Sequence, residues 1–143
     1  MININNELIE KINKHGEQTY NEECCGALIG SITDESFIVS ELLEYNNERN
    51  ENRERRYLIS PKQYMQSERL AAEKNLTLLG FYHSHPDHPA VPSQFDTDHA
   101  LPWFIYVIVS VQKGKAEKLT SWKLKEDRSV FEELKITTEK ENI

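Results

Sequence analysis

The stretch LTLLGFYHSHPDHPAVPSQFD (residues 76–96) joins an apolar run, a histidine pair, a proline-rich segment and a serine that precedes polar residues. Its first ten residues are typical of a strand, and Pro86 stops the strand ladder because proline has no N–H to donate. Ser93 is suited to cap a short helix that runs through about Ala100. The stretch therefore predicts a strand, a loop and a helix, with polar side chains at both junctions.

The residues before this stretch predict an opening helix and three further strands. Leu8, Ile9 and Ile12 recur at helical spacing, and Gly16 would end that helix. ALIGSI and SFIVSELLEY are β-rich runs separated by the turn-prone TDES, and RYLIS predicts a short strand. The segment NNERNENRERR is the most polar in the chain, which favours a solvated loop.

A second helix and two more strands are predicted on either side of the histidine stretch. Pro61 is suited to the first turn of a helix through KQYMQSERLAAEKN, with Met65, Leu70 and Ala71 able to face the core. WFIYVIVSV is nearly continuous in apolar residues, as expected of a strand buried on both faces. KAEKLTSWKL predicts another strand after a turn at residues 113–114.

Strands and helices are interspersed along 143 residues, which is the length of one ordinary domain. The chain has no internal repeat and no glycine- and serine-rich linker, so residues 1–143 are interpreted as one domain of the α/β or α+β class. The tail from Glu126 onward is weakly specified. A formal net charge of -7 argues against a general nucleic-acid or anionic-membrane binder, because such binders need clustered lysine and arginine.

Two features predict a cytoplasmic protein without a membrane span. The N-terminal MININNELIEKINKH has no apolar core flanked by basic residues, so it does not resemble a signal peptide, and no apolar run approaches about 20 residues. Cys24 and Cys25 are adjacent and cannot form an ordinary loop-closing disulfide, which indicates a reducing compartment.

His83 and His85 are two residues apart in the predicted strand, so both imidazoles project from the same face. Two such nitrogens can converge on one metal ion that lies between them. The alternative is that this H-x-H pair is a chance arrangement among five histidines. The pair alone therefore leaves metal binding open.

Asp96 follows in the first turn of the helix that Ser93 would begin. A carboxylate can supply the third protein ligand of a catalytic zinc site, which leaves the fourth position to water. The four residues from Ser93 to Asp96 also form S-x-x-D, a capping box in which both side chains satisfy backbone N–H groups. The cap is favoured for Ser93, whereas for Asp96 the two interpretations are equal.

The remaining polar residues are less informative when taken one at a time. Glu23 precedes the strand at ALIGSI, and a nearby glutamate acts as the base in unrelated zinc hydrolases, but Glu23 alone is one of many surface glutamates. His88, Asp98 and His99 are interpreted as loop or surface residues, and His15 as an ordinary residue near the end of the first helix. The two cysteines are soft metal ligands, yet a core cysteine and its neighbour are expected.

Together these residues resemble the signature of the JAMM (MPN+) metalloprotease family. That signature is H-x-H, seven residues, serine, two residues and aspartate, which appears here as HSH, PDHPAVP, Ser93, QF and Asp96. The family's upstream E-x-x-G-x-L-x-G is similar to ECCGALIG at residues 23–30. The resemblance extends from about Glu22 to Val111. It implies a single MPN domain with a mixed central β-sheet flanked by helices, similar to the cytidine deaminases.

The resemblance implies a role for each matched residue. His83, His85 and Asp96 would hold one zinc ion per chain. Glu23 would accept a proton from the zinc-bound water and pass it to the leaving amine, and Ser93 would donate a hydrogen bond to the oxyanion. Every matched position is filled, so the chain differs from inactive relatives that have lost their ligands.

The short PDHPAVP connection, with no long insertion after Asp96, is similar to the compact stand-alone prokaryotic branch of the family. The resemblance therefore implies a zinc metallopeptidase or isopeptidase that hydrolyses the bond after the C-terminal Gly-Gly of a small ubiquitin-like sulfur-carrier protein, in one variant releasing cysteine. The alternatives are a non-catalytic scaffold that binds a ubiquitin-like partner, and a zinc hydrolase with an unrelated peptide substrate. The carrier, the leaving group and the oligomeric state, a homodimer included, stay open.

Overall fold

A computed structural model of the chain describes residues 1–34, 36–54 and 56–138. Over these residues, eight strands form one sheet in the order β7-β6-β5-β4-β2-β3-β1-β8. The strands are β1 (Ile2–Asn3), β2 (Cys25–Thr33), β3 (Ser36–Tyr45), β4 (Thr77–Pro86), β5 (Ile105–Gln112), β6 (Lys115–Leu124), β7 (Phe131–Leu134) and β8 (Ile136–Thr137). The predicted TDES turn, polar segment and tail each contain residues outside the described ranges, namely 35, 55 and 139–143.

Strand β4, which carries the two histidines, lies inside the sheet. β2 pairs with it in the antiparallel sense and β5 in the parallel sense. Cys25 of β2 and Ile108 of β5 are the neighbours of His83 in this register. Hydrogen bonds on both sides fix the strand, so the direction of its alternate side chains is set by the sheet. The predicted mixed sheet is confirmed, as are the strands at ALIGSI, SFIVSELLEY, WFIYVIVSV and KAEKLTSWKL.

The described helices are α1 (Asn6–Thr19), α2 (Pro61–Glu73) and α3 (Gln94–His99). Leu8 and Ile12 of α1 belong to the core cluster on one side of the sheet. Ala71 of α2 and Phe81 of β4 belong to the cluster on the other side. Because His83 lies two residues after Phe81, it shares the side covered by α2. The site residues on β4 therefore lie on that side, at the carboxyl end of the strand.

Both helices on this side begin with a capping box. At α2, Ser60 Oγ accepts a bond from the N–H of Gln63 at 3.2 Å, and Gln63 Oε1 accepts one from the N–H of Ser60 at 2.9 Å. Ser93 and Asp96 exchange the equivalent bonds at α3. These reciprocal bonds satisfy N–H groups that have no partner inside the helix. The predicted helix starts at Pro61 and Ser93 are confirmed.

The prediction that Gly16 ends the first helix is wrong, because α1 continues to Thr19. Gly16 is buried inside the helix, where it faces the sheet. A Cβ atom at this position would lie 2.9 Å from Cγ2 of Val111 and 3.4 Å from Cγ1 of Val109. The glycine therefore permits close contact between the helix and the sheet.

The prediction that Met65 faces the core is also wrong, because 62% of this residue is exposed. The buried positions of α2 are Gln63, Ser67 and Ala71. The hydroxyl of Tyr45 is 2.6 Å from Ser67 Oγ and donates to the carbonyl oxygen of Gln63 at 3.0 Å. These polar contacts rotate the helix so that a small and polar stripe faces inward and Met65 faces solvent.

The strand predicted at RYLIS is absent: residues 56–60 pair with no strand among the described residues. The amide of Asn47 replaces a strand ladder, since its Nδ2 donates to the carbonyl of Arg56 at 2.9 Å and its Oδ1 accepts from the N–H of Leu58 at 3.0 Å. The ring of Tyr57 stacks on His83. This segment is therefore part of the wall beside the histidines.

Replacing Gly16 with leucine should destabilise the protein, because the new side chain would have to displace the packed valines of β5. We expect a loss of about 1 to 3 kcal/mol in the free energy of unfolding, as for other overpacked cores. Gln18 is exposed on the same helix, so Gln18→Leu is the control and should change stability little. Denaturant unfolding of both variants measures this, and equal stabilities would contradict the packing described.

Candidate metal centre

Three ligand atoms converge at the carboxyl end of β4. The Nε2 atoms of His83 and His85 are 3.2 Å apart, and Oδ2 of Asp96 lies 3.3 Å from the first and 3.1 Å from the second. Among the described residues, these three form the group of histidine, cysteine and acidic side chains that could hold a metal ion. The predicted set of metal-ligating residues is therefore brought together in the folded chain.

The triangle has the size that a tetrahedral ion requires. Bonds of about 2.0 to 2.1 Å place neighbouring ligands of a tetrahedral zinc ion about 3.3 Å apart. The Nδ1 atom of His85 is 2.8 Å from the carbonyl oxygen of Pro89. Because a carbonyl can only accept, the proton of His85 lies on Nδ1 and leaves the lone pair of Nε2 for a metal. The donor set thus fits a divalent ion with an open fourth position.

His83 is held by its surroundings as a neutral imidazole. Only 1% of the residue is exposed, and the ring of Tyr57 stacks on it at 4.4 Å between centroids, with 21° between the planes. Burial lowers the pKa of His83, against the opposing effect of the Asp96 carboxylate. A neutral imidazole is the form that binds a metal. Burial and stacking therefore suit His83 to be a ligand.

The capping box aims Asp96 at the histidines. The Oδ2 atom that faces both imidazoles also accepts a hydrogen bond from the backbone N–H of Ser93 at 2.9 Å. Burial would raise the pKa of Asp96, but the two adjacent imidazoles and the N–H of Ser93 lower it well below its ordinary value. The predicted cap is therefore present, and the same oxygen lies where a metal ligand would be needed.

Glu23 is placed beside the triad by the pairing of β2 with β4. The N–H of Cys24 donates to Ser84 Oγ at 2.8 Å, and the N–H of Ser84 donates to the carbonyl of Cys24 at 3.2 Å. Continuing the antiparallel register that pairs Cys25 with His83 puts Glu23 opposite His85, on the face of the ligands. Glu23 is therefore not a surface residue.

The carboxyl group of Glu23 is buried and lacks a full set of partners. Only 3% of the residue is exposed, and Oε1 has no hydrogen-bond partner among the described residues. Burial, together with the negative charge of Asp96, raises the pKa of Glu23 to about 9. Such a perturbed carboxyl group in a cleft beside a candidate metal site is suited to proton transfer.

Two clefts open beside the triad. The first, here called the aromatic cavity, has a volume of about 330 Å³; its wall includes His83 and Asp96 together with aromatic residues at positions 57, 64, 81, 95, 106 and 131. The second, the Glu23 cleft, has a volume of about 610 Å³ and is lined by Glu23, His85, His88, Pro89, Val91, Pro92 and Ser93. The triad therefore lies between a mainly aromatic space and a space that contains the buried carboxyl group.

Other polar residues that the sequence analysis considered lie outside the triad. The side chain of Asp98 accepts a bond from Gln94 Nε2 at 2.8 Å on the surface of α3, and His99 stacks on Phe95 at 4.0 Å. His15 is half-buried, with Nδ1 2.7 Å from the hydroxyl of Tyr82. Both cysteines are buried and free. Burial raises the pKa of the Cys24 thiol to about 12, so this residue is an inert core cysteine.

Sequence reasoning missed the contribution of the polar segment between β3 and α2. It predicted a solvated loop, yet Arg49 lines the aromatic cavity. Arg49 and Arg56 place their guanidinium carbons 5.2 and 4.5 Å from the ring centroid of Phe95. Asn47 Nδ2 donates to the carbonyl of Glu23 at 3.2 Å. The single available signal was the alternation of arginine with asparagine and glutamate, which is also typical of a solvated loop.

The prokaryotic homologs of the JAB domain form a protein family whose model matches residues 5–125 of the chain. The chain belongs to this JAB family. The resemblance to the JAMM signature is thereby confirmed, and the mixed α+β fold is that of JAB/MPN domains. No curated protein sequence matched the chain.

Solved structures of related proteins support the JAB fold. A Desulfitobacterium hafniense protein is 25% identical with a TM-score of 0.86, over 99% of this chain and 94% of that one. A Salinibacter ruber protein is 42% identical with a TM-score of 0.74, over 95% of this chain and 90% of that one. A JAB1/MPN domain protein from Archaeoglobus fulgidus is 18% identical with a TM-score of 0.57, over 94% of each chain. No helix in the described part of the chain is long and apolar enough to cross a membrane.

The raised pKa of Glu23 predicts a pH-dependent stability of the metal-free protein. The ordinary value is 4.5 and the folded value about 9, so between them the folded state binds the extra proton and the free energy of unfolding falls as the pH rises. Glu23→Gln removes this loss and should stabilise the chelator-treated protein by about 1 to 3 kcal/mol at pH 8, with little effect at pH 4.

Thermal or denaturant unfolding in the presence of a chelator, compared at these two pH values, measures that difference. Glu22→Gln changes an exposed neighbour, whose side chain is 43% exposed, and serves as the control. Identical pH dependence of stability in the wild type and in Glu23→Gln would contradict the buried, unpaired carboxyl group.

We expect one metal ion per chain and its loss in His85→Ala. Removing a residue that hydrogen-bonds to a metal ligand typically weakens metal binding about 10- to 100-fold. Removing the ligand itself should therefore weaken binding more than about 100-fold. His88→Ala is the matched control, since His88 lies near the site but outside the triad, and should keep the ion. Metal analysis of purified, zinc-loaded variants provides the measurement; unchanged metal content in His85→Ala would overturn the ligand set.

Proposed function

We propose that the protein is a zinc-dependent metallopeptidase or isopeptidase that hydrolyses the bond after the C-terminal Gly-Gly of a small ubiquitin-like or sulfur-carrier protein in the cytoplasm. The carboxyl group of Glu23 is buried beside the triad and its Oε1 has no hydrogen-bond partner in the described part of the chain, and this observation carries the proposal. A scaffold that only binds such a partner has no need of a buried base next to its metal site. Membership of the JAB family supports the same conclusion.

His83, His85 and Asp96 would hold the zinc ion through Nε2, Nε2 and Oδ2. When bound, the ion supplies Lewis acidity, which polarises the scissile carbonyl and lowers the pKa of a water molecule towards about 7. Glu23 would accept on its carboxylate the proton that the attacking water loses, and would return it to the nitrogen of the leaving amine. A cation in the triad favours the ionised form of Glu23, which is the form that accepts the proton.

Ser93 would stabilise the developing negative charge on the scissile carbonyl oxygen. It is exposed and lines the Glu23 cleft next to Asp96. Its Oγ accepts a bond from the N–H of Asp96 at 3.1 Å, which leaves the hydroxyl hydrogen to be donated. The capping bond therefore orients the serine without consuming its donor.

A Gly-Gly tail suits the depth of this site. Little of the ligand histidines is exposed, with 1% for His83 and 6% for His85. A peptide backbone reaches such buried groups most easily where it carries no side chains, and glycine is the residue that permits close approach. The connection between His85 and Ser93 is short and lines the Glu23 cleft, which supports a small carrier that docks directly.

Hydrolysis is tested by offering the zinc-loaded protein several sulfur-carrier proteins that are extended after Gly-Gly by cysteine or by a lysine-linked peptide. Mass spectrometry should show one of these tails trimmed after Gly-Gly, and a chelator should stop the reaction. Glu23→Gln should keep its zinc and lose turnover, whereas Glu22→Gln should remain active. Carrier binding without turnover in the wild type would instead establish a scaffold, and full activity of Glu23→Gln would remove the assigned base.

Ser93→Ala separates the capping role from the catalytic one. Loss of a helix cap costs about 1 kcal/mol of stability, whereas loss of an oxyanion donor lowers turnover about 100- to 1,000-fold. Ser60→Ala removes the equivalent cap from α2 and is the matched control. Both variants should lose similar stability, and only Ser93→Ala should lose turnover. Equal activity of the two variants would exclude the catalytic role of Ser93 and leave only its capping role.

A further inference from the structure

We infer that the aromatic cavity selects a large apolar side chain on the acyl side of the scissile bond, and that Arg49 and Arg56 select an acidic neighbour of that side chain. The inference deepens the proposed function and rests on it for the identity of the reaction. It specifies the substrate as a carrier whose tail combines a bulky apolar residue and an acidic residue ahead of Gly-Gly.

The position of Glu23 determines which part of the substrate enters which cleft. A group that returns a proton to the leaving amine must lie on the side of the bond where that amine departs. Glu23 lines the cleft next to His85 and Ser93. The aromatic cavity lies across the triad, against His83 and Asp96. The leaving group therefore occupies the Glu23 cleft, and the acyl segment occupies the aromatic cavity.

The aromatic cavity has the size and the wall of a side-chain pocket. Its volume is about 330 Å³, roughly twice that of an apolar cavity of about 150 Å³ that binds benzene. Phe81 and Tyr64 form part of the wall, and their ring centroids are 6.1 Å apart. The ring of Phe104 packs behind them, with its centroid 5.2 Å from that of Phe81 and 5.9 Å from that of Tyr64. An apolar wall of this kind gains stability by covering an aromatic or large aliphatic side chain.

Two positively charged side chains, Arg49 and Arg56, lie beside the cavity. Arg49 lines the cavity, and Arg56 lies over Phe95, which lines it too. Within residues 1–34, 36–54 and 56–138, neither guanidinium forms an ion pair, whereas Arg53 in the same segment pairs with Glu22 at 3.8 Å. The Nε of Arg49 donates to the carbonyl of Glu51, which leaves its terminal nitrogens for another acceptor.

These two arginines stand out against the charge of the whole chain. The protein has a formal net charge of -7, so an acidic tail is repelled everywhere except where positive groups are exposed. Both guanidinium groups lie over the same ring of Phe95, the residue immediately before Asp96 in α3. A carboxylate placed there gains two cationic partners in a partly buried setting. Charge complementarity therefore favours an acidic residue over a basic one beside the apolar side chain.

The test measures peptide binding to zinc-loaded and chelator-treated Glu23→Gln, in which hydrolysis cannot interfere. The peptides are acetylated amides that end in Gly-Gly-Ala. Each contains one phenylalanine and one glutamate, and the series places these two residues in different combinations of the three positions ahead of Gly-Gly. In the best register, we expect replacement of phenylalanine by alanine to weaken binding about tenfold. Replacement of glutamate by lysine should weaken it about threefold or more. Calorimetric or NMR titration gives the dissociation constants.

Charge reversal in the protein provides the reciprocal experiment. With Arg49→Glu and Arg56→Glu combined, the preference should invert, so that the lysine peptide binds more tightly than the glutamate peptide. Arg53→Glu is the control, because Arg53 lies in the same segment but pairs with Glu22, whereas Arg49 and Arg56 lie over Phe95; this variant should keep the original preference. If the reversal variant does not fold, the peptide replacements still decide the question on the parent protein.

The outcomes separate this inference from the proposed function. Equal affinity for the phenylalanine and alanine peptides, or equal effects of reversal at Arg49 and Arg56 and at Arg53, would overturn the inference even if a Gly-Gly conjugate is cleaved. If the peptides show the expected preferences but the wild type hydrolyses no substrate, the cavity assignment is supported and the proposed peptidase activity is excluded. Absence of binding by every peptide in the series would also overturn the inference.

Discussion

One carboxylate oxygen, Oδ2 of Asp96, joins the beginning of helix α3 to the two imidazoles of strand β4. It accepts a hydrogen bond from the N–H of Ser93 and lies 3.3 and 3.1 Å from Nε2 of His83 and His85. The helix start and the metal-ligating geometry therefore cannot be changed independently. Rotation of the Asp96 side chain would break its bond to the N–H of Ser93 and open the triad at the same time, so the first turn of this six-residue helix positions the carboxylate.

The sheet supplies the second half of the arrangement. β4 is bonded on both sides, so His83 and His85 project from a fixed strand. The same pairing with β2 buries Glu23. The Ser84 hydroxyl accepts a hydrogen bond from the N–H of Cys24, which lies next to Glu23. Ser84 thus has a structural role between the two histidines, on the opposite face of the strand. Three separate parts of the sequence meet because one strand is fully paired.

The parts of the fold that were predictable are those with strong local signals. The apolar runs predicted the central strands, and the S-x-x-D pattern predicted the cap at Ser93. The strands and the cap obey rules that act over a few positions, so a single sequence contains enough information to place them. The grouping of His83, His85 and Asp96 instead followed from the resemblance to the JAMM signature, since the local pattern left it open.

The errors arose where a distant contact overrides the local signal. Gly16 is in mid-helix because Val111 of the sheet lies against it, and Met65 faces solvent because Tyr45 binds the polar stripe of α2. The burial of Glu23 depends on strand pairing sixty residues away along the chain. Arg49 gained its place at the cavity through Phe95. None of these contacts has a sequence period, so pattern analysis of one chain does not reveal them.

The central claim is that the ion is held by two imidazoles and one carboxylate, without the adjacent cysteines. X-ray absorption spectroscopy of the zinc-loaded protein tests this directly, because nitrogen or oxygen ligands lie at about 2.0 to 2.1 Å and thiolate sulfur at about 2.3 Å. The account predicts a first shell of nitrogen and oxygen alone, with the scattering pattern of two imidazole rings. A sulfur shell, or a spectrum with fewer than two imidazoles, would contradict it.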